Sequence, residues 1–313
     1  MPKKVIIDCD PGIDDAVALT LALFDPRLEV VAVTATPGVV NGAQATRNVQ
    51  SVIERLDPPR WPRIGATEDL PHLPGYGPQL HGSDGLGNIS LAVSQQLHRH
   101  AADKVIIDAV RSCSEGELTL LTLGPLTNVA RALKREPSLA SAIGRIVMSG
   151  GSVQSGGDVS AAAEFNMFCD PESAAEVFRS PTTKILVPLD LSRQLVMRLD
   201  FIESLPDDFS RAGQLLRQLV PFLFRASRQF LGLEGIYLNA AVALMMVVEP
   251  ELFTTQEMAG EVETEGHMTR GQTVFDRRTP PTWRKNMEVA THVDLAELRA
   301  SIERGLKFAG QET

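Results

Sequence analysis

The feature that most constrains the fold of this chain is a repeated alternation between short apolar, β-rich runs and helical patterns. Val5–Ile7, 29–34, 118–123, 145–148 and 184–189 read as strands, separated by stretches with helical spacing. Strands alternating with helices form βαβ units, so the sequence predicts an α/β fold: an open, mostly parallel sheet with helices on both faces. With 313 residues, 43% of them hydrophobic, and no long polar tract, the chain is expected to form a single domain spanning 1–313.

Such sheets bind ligands beyond the carboxyl ends of their strands. The first strand ends in Asp8-Cys-Asp10-Pro-Gly-Ile-Asp14-Asp15, four carboxylates within eight residues. Each pair of like charges a few ångströms apart repels by about 1 to 4 kcal/mol, depending on the effective dielectric, so the cluster calls for an offsetting cation or for shared protons. Pro11-Gly12 makes the turn, and Asp14-Asp15 open an apolar helix running to Phe24. First-turn acids are also ordinary helix caps, a reading that covers Asp14 or Asp15 but leaves Asp8 and Asp10 unexplained.

The tips of the later strands carry Thr36-Pro-Gly38-Val-Val-Asn41, Gly124-Pro-Leu-Thr-Asn128, Ser149-Gly150-Gly151 and Asp190. Glycines and small polar residues at these points let backbone approach a ligand closely. Farther along, Asp158, Glu164 and Asn166 stand in an apolar context before a helix expected near Pro171. For Glu164 and Asn166, capping or loop solvation and ligand binding are both open. The Gly-rich stretch from Leu73 to Asn88 reads as a surface loop or as a mobile lid that excludes water. The aromatic residues between Phe222 and Tyr237 read as core packing or as a specificity wall.

Composition excludes several partners. A net charge of -9 without a Lys/Arg run gives no footprint for nucleic acid or anionic lipid, and no apolar run is long enough to span a bilayer. A small molecule is the expected partner. Cys9, Cys113 and Cys169 form no C-x-x-C pair, which points to a reducing compartment, most simply the cytoplasm. His98 and His100, the close histidine pair, do not match H-x-x-x-H, so zinc is not expected.

The motif D-C-D-P-G-I-D-D-A, then G-P-L-T-N-V-A at 124–130, G-D-V-S-A-A-A-E-F-N at 157–166, D-P-E at 170–172 and E-P-E-L-F at 249–253 resemble the inosine-uridine preferring nucleoside hydrolase family across nearly the whole chain. The resemblance implies calcium-dependent hydrolysis of the N-glycosidic bond of ribonucleosides by a homodimer or homotetramer. By position, Asp10 would be a metal ligand and the base that deprotonates water, Asp15 a bidentate metal ligand, Asp8 a supporting acid and the Leu123 carbonyl a further metal ligand. Asp14, Glu164 and Asn166 would bind sugar hydroxyls, and Asp158 stands where the family has an Asn near the sugar.

The departures from the family pattern are specific. Asn239-Ala240-Ala241 occupies the place of a His-Asp-Pro triplet, so Asn239 replaces the histidine assigned to protonating the base and Ala240 replaces a calcium-ligand Asp. Val39 and Ser149 stand where the family tends to have Asn and Met. Tyr237 or His81 are then the candidates for the leaving-group acid. A catalytically weak nucleoside- or ribose-binding protein is the alternative. A phosphatase of the haloacid dehalogenase type is a remoter one, since Asp8-x-Asp10 after a strand suits it but Gly12 does not.

Overall fold

The computed structural model describes residues 2–70, 77–94 and 100–312. Its centre is β1 (Lys3–Cys9), whose β-branched run is buried from Val5 onward. Val5, Ile7 and Cys9 enter the apolar core on one face of the sheet and Ile6 the core on the other, as the period-2 alternation of a strand requires.

Around β1 are β2 (Leu28–Ala35), β3 (Arg63–Ala66), β4 (His100–Ala101), β5 (Leu118–Thr122), β6 (Arg145–Ser149) and β7 (Lys184–Val187). After these come β8 (Phe253–Met258), a small antiparallel pair of β9 (Gly260–Val262) and β10 (Thr273–Phe275), and β11 (Met287–Val293). The main sheet has nine strands in the order β4-β3-β2-β1-β5-β6-β7-β11-β8. All neighbours are parallel except β11 and the edge strand β8. The open, mostly parallel α/β sheet expected from the sequence is therefore the observed architecture.

The strand order reverses at β1, which pairs with β2 on one side and β5 on the other. At such a switch point the loops leaving neighbouring strands diverge and open a crevice. The helix Ile13–Phe24 descends from it with every residue except Asp14 buried, packed against the helices Asn239–Val248 and Leu295–Glu312. A helix enclosed this way has to be apolar all round, which accounts for its Ala, Val and Leu content.

Several boundaries move relative to the sequence reading. The run expected to continue as a strand to Leu189 leaves the sheet at Val187, because Pro188 offers no N–H and Leu189–Ser192 forms a helical turn. The strands β3, β4 and β8 to β11 are not among those read from the sequence; β4 has two residues, and β8 is an edge strand with mostly polar, partly exposed positions. The helix expected near Pro171 is Pro171–Arg179. Of the Gly-rich stretch, 73–76 lie outside the described residues, as does His98; Gly77–His81 is a short helix. Among the described residues, no helix is long and apolar enough to cross a membrane.

Candidate active site

The carboxylates past β1 are held by backbone that crowds in from neighbouring strands. Asp10 Oδ2 accepts the N–H of Val39 at 2.9 Å. A Cβ on Gly38 would stand 2.1 Å from Asp10 Oδ2, and one on Gly124 would stand 2.5 Å from Oδ1. The loops beyond β2 and β5 therefore close on this side chain only because both positions are glycine. Asp15 Oδ2 accepts the N–H of Gly12 at 3.0 Å, reaching back to the residue that precedes the helix, while its Oδ1 is buried without a partner. The capping reading of Asp15 is thus correct for one oxygen and silent about the other.

Asp10 and Asp15 are each 3% exposed. Burial pushes both well above the usual carboxylate range; the neighbouring Asp15 adds to the shift of Asp10, and Asp14 to that of Asp15. Asp8 lies one layer below, outside the lining of the cleft. Its Oδ1 accepts from the Thr34 hydroxyl and from Asn128 Nδ2, its Oδ2 is buried without a partner, and burial raises its pKa to about 7. It supports the site from behind, by tying β1 to β2 and to the helix after β5.

The opposite wall comes from the segment after β6. Glu164 caps the helix Phe165–Cys169, with Oε2 accepting from Gly151 N at 2.8 Å and from Met167 N at 3.2 Å. Burial, reinforced by nearby Asp158, raises its pKa to about 8. Asn166 Nδ2 donates to the carbonyls of Leu123 at 2.7 Å and Ser149 at 3.0 Å, so it ties the tips of β5 and β6 together. The Leu123 carbonyl accordingly has one lone pair engaged and one to offer.

Asp158 Oδ1 accepts from Phe165 N, and its Oδ2 lies 3.2 Å from Arg193 Nη2. The Arg193 guanidinium sits 5.6 Å above the Tyr237 ring, with Nε buried and without a partner. Asn239 opens the helix Asn239–Val248, and its buried Oδ1 also lacks a partner; Ala240 beside it is 2% exposed. His81 Nδ1 accepts the N–H of Ile13 at 2.9 Å. A backbone N–H only donates, so the ring proton resides on Nε2, and burial holds the imidazole pKa below its ordinary value.

Asp10, Asp14, Asp15, Leu123, Asp158, Glu164, Asn166, His81, Tyr237, Asn239 and Ala240 all line one cleft. Asp15 Oδ1, Arg193 Nε and Asn239 Oδ1, on residues that line it, are buried without a hydrogen-bond partner, which calls for an explanation in a native fold.

The sequence profile described as "Inosine-uridine preferring nucleoside hydrolase" matches residues 5–300. The chain belongs to this family. A probable uridine nucleosidase 1 of Oryza sativa subsp. japonica is 34% identical over 96% of this chain and 95% of its own length. An inosine-uridine preferring nucleoside hydrolase of Crithidia fasciculata is 31% identical over 99% of both chains. Among solved structures, a purine-preferring ribonucleoside hydrolase from Gardnerella vaginalis superposes with a TM-score of 0.90 at 29% identity, covering 99% of this chain and 100% of that one.

Ala240 brings no carboxylate to the cleft lining. Among the described residues, no group of three or more His, Cys, Asp or Glu side chains is arranged to hold a metal ion. What is present still fits a hard cation: two buried carboxylates whose shifts show no basic residue offsetting them among the described residues, an orphaned Asp15 Oδ1, and the Leu123 carbonyl beside them in the lining. Asp190, at the tip of β7, turns away from this role; its carboxylate accepts from the N–H groups of Val153, Gln154 and Ser155 and anchors that loop. Arg193, three residues on, is a charged cleft residue that sequence reasoning missed, although its place just past a strand end was a usable signal. Leu223, Ser227 and Leu231 also line the cleft, whereas Phe222 and Phe224 of the same region pack against the core.

Proposed function

We propose that this chain hydrolyses the N-glycosidic bond of ribonucleosides to free base and ribose. The observation that carries the reading is the buried Asp10/Asp15 pair, uncompensated and partly unpartnered, in the lining of a cleft in a chain of this family. Calcium, held by Asp10, Asp15 and the Leu123 carbonyl with water and sugar hydroxyls completing the shell, would keep both carboxylates ionised and acidify the attacking water.

Asp10 is the base. Val39 N–H fixes its Oδ2, and the glycine cradle fixes its orientation, leaving Oδ1 to take the proton as water adds to C1′. The sugar passes through an oxocarbenium-like state, so its hydroxyls have to be gripped while charge develops. Asp14, Glu164 and Asn166 provide that grip, with Asn166 offering Oδ1 because its amide hydrogens are engaged. On the leaving side, His81 Nε2–H and the Tyr237 hydroxyl are available proton donors, and Asn239 Oδ1 is an acceptor for base or sugar.

Ribose release from inosine, uridine, cytidine and adenosine, with added calcium and with chelator, tests this. Release that chelation abolishes is the expected result; no release from any nucleoside at micromolar enzyme with calcium refutes the proposal. Ala240, which removes a carboxylate from the cation's surroundings, favours one alternative: a nucleoside-binding protein with little turnover. Tight nucleoside binding without ribose release would establish it.

A further inference from the structure

The turn between Asp10 and Asp14 is held from outside by a second segment. His81 Nδ1 accepts the N–H of Ile13 at 2.9 Å, and a Cβ on Gly12 would stand 2.8 Å from the same nitrogen. Three residues past His81, the carbonyl of Asp84 accepts from Asn48 Nδ2 at 2.7 Å, and the same amide nitrogen donates to the carbonyl of Pro11 at 3.2 Å. Asn48, 2% exposed in the helix Gly42–Leu56, therefore joins the segment after His81 to the turn after Asp10. The three pieces of chain close on one another only because position 85 is glycine. Its φ is +80°, and a Cβ there would stand 2.9 Å from Asn48 Nδ2 and 3.1 Å from the Pro11 carbonyl oxygen.

Resting on the hydrolase reading, we propose that Asn48 is a positioning residue that clamps His81 against the turn carrying Asp10 and Asp14. The place requires an amide. Two carbonyls can only accept, so the NH2 group has to face them, and Oδ1 accepts from Gln44 Nε2 at 2.8 Å, which leaves the side chain one orientation. The segment it holds is stiff on its own account. Asp84 Oδ1 accepts the N–H groups of Leu86 and Asn88, Asn88 Oδ1 accepts from the N–H and hydroxyl of Ser83, and Leu86 is buried in the core. The N–H of Gly87 donates back to the His81 carbonyl at 2.7 Å, so holding Asp84 also holds His81. Its Nδ1 then stays on Ile13, and the ring, part of the cleft lining, keeps one place relative to Asp10 and Asp14.

Amide hydrogen exchange and steady-state kinetics on Asn48→Asp test the clamp, because this substitution keeps the shape and puts oxygen where two carbonyls need a donor. The amide of Ile13, whose acceptor is His81, should exchange faster by about 10-fold or more, while that of Leu19 in the same helix, which reports global opening, changes far less. On uridine or inosine, kcat should fall by about 10- to 100-fold with KM within about threefold, the loss expected when a group in the site is misplaced by about 1 Å. In a chain that already carries His81→Ala, the same substitution should lower kcat by less than about threefold, because the clamp has no ring left to hold. Asn48→Ala, which removes the amide without adding a charge, carries the test if the Asp variant does not fold. Equal acceleration at Ile13 and Leu19, or an equal loss of kcat with and without His81, overturns the proposal, since Asn48 would then support the fold alone. If the unaltered chain turns over no nucleoside, the hydrolase reading falls, and exchange at Ile13 still decides whether the clamp exists.

Discussion

Ala240→Asp is the substitution that bears most directly on how this chain holds a cation. Ala240 is 2% exposed, lines the cleft, and lies in the first turn of the helix Asn239–Val248. An Asp there would gain about 0.3 to 1 kcal/mol from the helix N-terminus, but without a cation it would add a third buried carboxylate to Asp10 and Asp15. The metal-free variant should therefore melt below the unaltered chain. With calcium the balance reverses. A unit charge about 4 Å from another interacts by about 4 kcal/mol at an effective dielectric of 20, and a divalent ion doubles that. Desolvation of the new carboxylate takes back several kcal/mol, leaving a net gain of about 2 to 3 kcal/mol, or about 30- to 150-fold tighter calcium binding. Titration calorimetry and calcium-dependent melting measure this directly, and ribose release shows whether turnover rises with affinity. Equal calcium affinity in the two proteins would refute the reasoning, because the cation would then lie out of reach of residue 240.

Gly124→Ala places a Cβ 2.5 Å from Asp10 Oδ1 and 2.7 Å from Thr36 Cγ2, so the carboxylate has to move by about 1 Å; kcat should fall by about 100-fold, and a change under twofold in steady-state kinetics would show that Asp10 is not the positioned base. Glu164→Ala removes the acceptor of two buried N–H groups and should cost about 1 to 3 kcal/mol in urea unfolding, whereas Glu164→Gln should cost less; equal losses would deny the capping role. Lys184, whose Nζ donates to the carbonyls of Ser180 and Thr182, is lowered by burial from 10.5 to about 8. Between pH 8 and 10.5 the unfolded chain then binds more protons at this residue than the folded one, so its penalty is full below pH 8 and fades as pH rises. The stability of the native chain relative to Lys184→Met should rise across that window in denaturant titrations, and a pH-independent difference would contradict the assignment.

Much of the site was legible in the sequence because its parts are local. The strand, turn and helix from Val5 to Phe24 follow from β-branched residues, Pro11-Gly12 and a run of Ala and Leu, and they carry Asp8, Asp10, Asp14 and Asp15 together. Glu164 and Asn166 lie two apart on one short segment, and Ala240 stands out by counting back from Glu249-Pro-Glu-Leu-Phe253. The strand–helix alternation likewise determined a parallel sheet, whose carboxyl edge had to hold the cleft.

Which oxygens remain free was decided only in three dimensions. Asn166 reads as a sugar ligand in sequence, yet its amide hydrogens bridge β5 and β6; Asp190 reads as a cleft residue, yet it anchors the loop 153–155. Arg193, Asp158 and Tyr237 come from three separate segments, and their ion pair and ring contact exist only because the order β1-β5-β6-β7 brings those segments to one edge. Local propensity and spacing determine what a residue can offer. Burial and the groups that distant segments press against it decide what it still has to give, because a hydrogen bond or a charge already met inside the fold is no longer available to a substrate.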